Sequence, residues 1–231
     1  MIEALLTIDD IASENTVAII DYLKDKKIPV LMFAWGENVE HYHDEALYAL
    51  KNGIIVGNHS YSHPHFSELS FEEGVKEIEK CEAVLDNLYK EAGVERRFRP
   101  FRFPYGDKGG VNKDRYQKYL SDNGFNKVDD THIVYSGWKE EGLDKDIDTY
   151  WTFDFMEYNI RQGNNFSIDD VIKRTKDKNP QTGAVLYEDG SYHILLLHAH
   201  DETEKMCTEY YKIILGELID NGVSFVSPEF L

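Results

Sequence analysis

The sequence predicts an α/β protein, a single distorted (β/α) barrel of seven to eight mostly parallel strands with helices outside. Three observations predict it. Apolar runs of strand length alternate with stretches of helical period. The residues best suited to chemistry fall directly after those runs. No GxGxxG or GxxxxGK[ST] string follows a strand, as an open nucleotide-binding sheet would require. At 231 residues the chain fits one such domain, and no repeat, low-complexity tract or linker divides 1–231.

In chain order, strands are predicted at 4–8, 30–33, 54–56, 98–102, 150–154, 192–197 and 224–226, with a further candidate at 126–128. Helices are predicted at 15–26, 39–52, 71–92, 113–123, 168–176 and 203–221. Ser70, three residues before Glu73, has the form of a capping box, and Ser167 before Asp169-Asp170 that of an acidic helix start. Gly53, Gly93, Gly124 and Gly222 each follow a helical stretch, where a left-handed cap is needed. The polar stretch 129–148 reads as a long loop on the barrel rim. Cys81 and Cys207 share the three-and-four spacing of neighbouring apolar residues, so each thiol is expected to face the core, without a disulfide framework or a cysteine metal site.

Composition narrows the function. Hydrophobic residues make up 42% of the chain, and no apolar stretch approaches the ~18 residues that a membrane helix needs. The formal charge of −18 sets up a negative field that repels nucleic acid and anionic lipid, so neither is expected as a partner. The N-terminus lacks the pattern of a secretory signal. The expectation is a cytoplasmic protein if the chain is complete, and an exported one if a leader has been removed; the oligomeric state is left open.

In such barrels the working residues lie at the carboxyl ends of strands. Asp9 and Asp10 follow the first predicted strand, His59 and His63 the third and Arg102 the fourth, while Asp154 and His198 close two later ones. Any one of these could be a turn, a cap or a surface pair; their agreement on one end of the barrel is the argument. Two neutral imidazoles and one carboxylate make a common facial set for zinc, leaving the other carboxylate free. Pro64 after His63 favours a loop for the histidine pair.

At these residues the chain resembles the polysaccharide deacetylases of the NodB-homology type, carbohydrate esterase family four. Thr7-Ile8-Asp9-Asp10 is similar to the family's T-F-D-D, His59-Ser60-Tyr61-Ser62-His63 to H-[ST]-x-x-H, Arg102-Phe103-Pro104-Tyr105-Gly106 to R-x-P-Y-G, and Leu195-Leu196-Leu197-His198 to L-x-x-H. Met32-Phe33-Ala34-Trp35-Gly36 resembles the family's second strand and its glycine. The resemblance implies Asp10, His59 and His63 as ligands of a divalent metal, zinc first, with cobalt, nickel or manganese as alternatives. It implies Asp9 as base, Arg102 as its holder, the Tyr105 N–H facing the oxyanion, and His198 as acid. The family's D-x-x-D-W is matched at Trp151-Thr152-Phe153-Asp154-Phe155-Met156-Glu157-Tyr158, so Asp154 would orient His198. Two departures stand out: Ile11-Ala12 replaces Gly-Pro, and Glu157-Tyr158 replaces Asp-Trp.

The implied substrate is an acetylated carbohydrate such as an N-acetylglucosamine oligomer, with O-acetyl esters, as on xylan, also open. Asp9 would take a proton from water, and His198 would give one to the departing amine, which leaves poorly unless protonated. Trp35, Tyr61, Tyr105, Trp138, Trp151 and Tyr158 are expected near the rim, where flat rings stack on sugars. His65 and His200, beside the motifs, could support the ligands or be extra ligands themselves, and surface or supporting roles are the ones expected. Two alternatives remain: a hydrolase of small cyclic amides or imides on the same barrel, and a catalytically silent glycan-binding protein.

Overall fold

A computed structural model describes residues 1–231. Its strands are β1 (Ile2–Ile11), β2 (Val30–Ala34), β3 (Ile55–Asn58), β4 (Phe153–Asp154), β5 (Tyr192–His198) and β6 (Val223–Phe225). Its helices are α1 (Thr16–Lys26), α2 (Gly36–His41), α3 (His43–Lys51), α4 (Phe71–Ala92), α5 (Lys113–Asp122), α6 (Ser136–Glu140), α7 (Ile168–Thr175), α8 (Asp201–Met206) and α9 (Tyr210–Asp220). The strands form one parallel sheet in the order β3-β2-β1-β5-β4, and β6 pairs with the first residues of β1. No helix is long and apolar enough to cross a membrane.

The α/β class predicted from the sequence is the one observed, with fewer full strands. The stretch 98–102 contributes a single parallel bridge, Asn58 to Phe101, and 126–128 a single antiparallel one, Val128 to Phe230. No continuous ladder closes the barrel between Phe101 and β4; the Thr149 N–H donates to the Phe101 carbonyl at 2.7 Å there. Arg102 Nε donates to the Thr149 carbonyl at 2.9 Å across the same gap.

Side chains alternate across a strand, and the register turns that alternation into layers. Leu5 pairs with Ile194, Thr7 with Leu196 and Asp9 with His198. Leu5, Leu31, Phe33 and Ile194 gather with Val128, Ile133, Trp138 and Leu143 in a small inner core. Ala4, Leu6, Ile8, Met32, Leu195 and Leu197, of opposite parity, join the large core against α1, α3, α4 and α9. The face that begins as inner core at Leu5 therefore ends in Asp9, and that of Ile194 ends in His198. Gly57 continues the pattern for β3: a Cβ there would stand 2.7 Å from the Pro100 carbonyl and 2.8 Å from the Phe33 ring.

Helix α4 runs over the predicted 71–92, because its signals are local. Ser70 and Glu73 complete a reciprocal capping box, and Gly93 takes the left-handed cap at φ 69°. Two other predicted helices are each split. The 39–52 stretch breaks at Tyr42 between α2 and α3, and 203–221 breaks between α8 and α9, where Glu209 has φ 60°. Cys207 consequently lies in the break, half-buried, while Cys81 is fully buried as expected. The 129–148 loop contains α6 and folds inward, so Trp138 is a core residue whose indole N–H donates to Asp130 and not a rim platform.

Candidate metal centre and active site

The strand ends deliver Asp9, Asp10, His59, His63 and His198 to one cavity of about 620 Å³, which Trp35, Tyr105, Trp151, Asp154, Tyr158 and His200 also line. That size lies within the ~300–1,000 Å³ usual for small-ligand sites. Seven residues other than glycine have positive φ, and five of them, Asp10, Ser60, His63, Tyr105 and Met156, carry or flank this site. Such conformations cost free energy and persist where the surroundings over-determine them, as around a functional centre.

The histidine loop is held from below. Asn58 donates to the Ile78 carbonyl and to Glu82, and accepts from the Ser60 N–H. Glu82 is buried and paired with Arg96 and Arg99. Glu77 accepts the N–H groups of Tyr61 and Ser62.

Asp10 Oδ1 lies 3.3 Å from His63 Nε2 and 3.7 Å from His59 Nε2, and it is buried with no hydrogen-bond partner. A buried carboxylate oxygen without a hydrogen-bond partner beside two imidazole nitrogens is a donor set that suits a divalent cation. Ligand bonds of ~2.0–2.2 Å in tetrahedral array set neighbouring donor atoms roughly 3.3–3.6 Å apart, and the Asp10 separations of 3.3 and 3.7 Å lie close to that spacing. His59 Nδ1 contacts the Arg102 carbonyl at 2.8 Å; a carbonyl only accepts, so Nδ1 carries the proton and Nε2 offers its lone pair. Burial lowers the pKa of His63 to about 4, which leaves that imidazole neutral. For Asp10, burial acts to raise the pKa, but the His200 hydrogen bond and the neighbouring histidines outweigh it and hold the carboxyl well below the usual range.

Asp9 stands beside this set, with Oδ2 3.5 Å from His59 Nε2. Its Oδ1 accepts from Arg102 Nη1 at 2.7 Å, and the same nitrogen donates to Thr7 Oγ1 at 2.8 Å. Arg102 is fully buried, its guanidinium 4.5 Å from the centre of the Phe33 ring. A buried pair of this kind is expensive to break from one side, by about 3–5 kcal/mol.

At the end of the neighbouring strand β5 the structure corrects one expectation. Asp154 does not hold His198: its Oδ1 accepts the Met156 N–H at 2.8 Å, and its other oxygen faces Tyr158. Glu157 holds His198 instead. Its Oε1 accepts from the His198 backbone N–H at 2.6 Å and from Nδ1 at 3.0 Å. The physical reason is the shortness of β4, which ends at Asp154; the left-handed turn at Met156, φ 59°, then brings Glu157 beneath the ring. Burial alone would lower the pKa of His198, but the Glu157 carboxylate outweighs it and raises it to about 10, with Asp10 and Asp154 adding to the field. Burial raises Asp154 to about 6, an effect that the imidazolium of His198 partly offsets. The sequence held a signal for Glu157, the acidic residue before Tyr158 in the D-x-x-D-W position, but gave no means of ranking it above Asp154.

Of the aromatic residues, Trp35, Trp151 and Tyr158 line the cavity as expected, and Tyr105 is 59% exposed at its mouth. Tyr61 does not join them. Its ring packs on Gly36 and under Lys80 and its hydroxyl donates to Glu40, because the turn at Ser60, φ 65°, directs it to the outer surface. His65 stacks on Tyr105 at 4.0 Å, and His200 Nε2 meets Asp10 Oδ2 at 2.6 Å.

Taken together, the parallel α/β sheet and the Asp10, His59 and His63 cluster place a candidate metal site at the carboxyl ends of the strands. A family model described as polysaccharide deacetylase matches residues 2–128, and the chain belongs to that family. Glu157 and His198 lie beyond the matched residues. A peptidoglycan-N-acetylglucosamine deacetylase of Bacillus cereus is 35% identical over 106 residues, 46% of this chain and 37% of that protein. The peptidoglycan-N-acetylmuramic acid deacetylase PdaC of Bacillus subtilis is 27% identical over 184 residues, 76% and 36% of the two. The chain thus spans little more than a third of these relatives. Among solved structures, that of PdaC covers 97% of this chain and 86% of its own at 22% identity and TM-score 0.61. A pseudoenzyme of the same esterase family from Bacillus anthracis covers 97% and 63% at 20% identity and TM-score 0.65. At such identities the likeness establishes the fold alone.

Proposed function

We propose that this chain is a metal-dependent deacetylase that removes N-acetyl groups from a polysaccharide of the peptidoglycan or N-acetylglucosamine type. The observation that carries the reading is the presence of two held groups in one cavity: Asp9 held by Arg102 beside the Asp10, His59 and His63 cluster, and His198, on the neighbouring strand, held by Glu157.

Asp10, His59 and His63 would hold a divalent cation, most simply zinc, which supplies a polarised carbonyl and an acidified water. Asp9 takes the proton of the attacking water, with Arg102 fixing its Oδ1 so that Oδ2 faces the cluster. The Tyr105 backbone N–H serves the developing oxyanion, a role typically worth about 2.7–4 kcal/mol per donor. His198 then protonates the departing nitrogen. With a pKa near 10 it is an imidazolium at neutral pH, and because its Nδ1 proton is given to Glu157, Nε2 is the nitrogen left for the leaving group. This acid favours an amide over an ester, since an alkoxide needs protonation less than an amine does. Trp35, Trp151, Tyr105 and Tyr158 provide apolar faces for the sugar and its acetyl group.

The test is acetate release from N-acetylglucosamine oligomers, peptidoglycan fragments and O-acetylated xylan, with and without chelator. Chelator-sensitive acetate from the N-acetylated glycans is expected. Ring opening of a cyclic imide without acetate release would move the chain to the other hydrolase class. Glycan binding without turnover in the zinc-loaded protein would make it a silent binder.

A further inference from the structure

We propose that His200 is a positioning residue for the metal centre: by holding one carboxylate oxygen of Asp10, it leaves only the other to face the imidazoles. His200 lies two residues past the end of β5 and reaches across to the end of β1. Its Nε2 stands 2.6 Å from Asp10 Oδ2. A carboxylate only accepts, so Nε2 carries the proton and donates it. Oδ1 is the oxygen left buried and unpartnered, 3.3 Å from His63 Nε2 and 3.7 Å from His59 Nε2.

The consequence is geometric. The terminal torsion of an aspartate is broad and roughly two-fold, so a free Asp10 could rotate or offer both oxygens at once. The His200 bond removes both options and gives the carboxylate one orientation. Asn38 adds a weaker restraint on the same residue, donating to the Asp10 carbonyl at 3.4 Å. His200 does not belong to the ligand set itself. Its Nε2 is engaged by Oδ2, whereas His59 and His63 converge on Oδ1, and the Asp10, His59 and His63 cluster forms without it. Partners that orient a metal ligand are typically worth about 10–100-fold in metal affinity.

The inference rests on the metal-centred reading above, and its test is independent of turnover. Zinc affinity of the full chain is measured by competition with a chromophoric chelator for the unaltered protein, His200→Phe and His200→Gln. The His200 side chain is 32% exposed, and the thermal unfolding of the metal-free variants checks that they fold. His200→Phe should bind zinc about 10–100-fold more weakly. His200→Gln, whose amide can donate from nearly the same place, should recover most of that loss. The zinc-edge X-ray absorption spectrum of the unaltered protein should fit two imidazoles. Equal zinc affinity in all three proteins would overturn the role of His200 alone, as would a spectrum requiring three imidazoles. An unaltered protein that takes up no zinc would sink both this inference and the metal-centred reading.

Discussion

Replacing Glu157 by Gln tests which carboxylate serves His198. The amide oxygen can still accept from the His198 N–H and from Nδ1, so the geometry at 2.6 Å and 3.0 Å is kept while the charge is lost. In the unaltered protein His198 titrates near 10. Against an ordinary value near 6.5, that corresponds to on the order of 5 kcal/mol favouring the imidazolium. With Glu157 neutral, burial is opposed only by the weaker fields of Asp10 and Asp154, and the pKa falls well below 10. Less of the ring is then imidazolium at neutral pH and above. Deacetylation at neutral pH should fall by about 10²–10⁴-fold, the range usual for general acid catalysis. The alkaline limb of the pH–rate profile should move from near 10 to distinctly lower pH. Stability follows the same sign: the folded pKa lies above the unfolded one, so the imidazolium contribution is whole below pH 6.5 and is lost as pH rises through about 10. The assay is acetate release from pH 5.5 to 10.5 for the unaltered protein, Glu157→Gln and Asp154→Asn. A Glu157→Gln profile with its alkaline limb unmoved would refute the reasoning, and a larger displacement in Asp154→Asn would return the role to Asp154.

Other perturbations probe the remaining parts. Asp9→Asn should keep zinc affinity within a few-fold and lower acetate release by at least ~10³-fold; unchanged release removes Asp9 from the role of base. Zinc at 100 times its Kd should stabilise the fold by about 2.7 kcal/mol, roughly 5–10 °C in Tm for a chain of this length, and His63→Ala should abolish the shift in a calorimetric scan. Arg102→Met leaves Asp9 buried and unpaired and removes the link to the Thr149 carbonyl, so urea unfolding should show a loss of about 3–5 kcal/mol. Gly57→Ala would force a Cβ to 2.7 Å from the Pro100 carbonyl, and overpacking of that kind should cost about 1–3 kcal/mol. Because β3 leads into His59, a matching drop in zinc affinity is expected in the same titration.

What the sequence determined by itself is what short-range forces determine. Helix α4 keeps its predicted limits because the Ser70 to Glu73 box and the Gly93 cap act over three or four residues. Asp9-Asp10, His59, His63 and Arg102 were legible because apolar runs of strand length end where they begin, and the family motifs lie within those few residues. The tertiary structure decided whatever depends on the direction of the chain after a turn. Glu157 rather than Asp154 meets His198, because β4 stops after two residues and Met156 turns left-handed. Tyr61 leaves the cavity, Trp138 enters the core, the 98–102 strand shrinks to one bridge, and His200 crosses to Asp10. In each case the deciding contact joins residues far apart in sequence or lies beyond a left-handed turn, and the periodicity of a single segment carries no information about either.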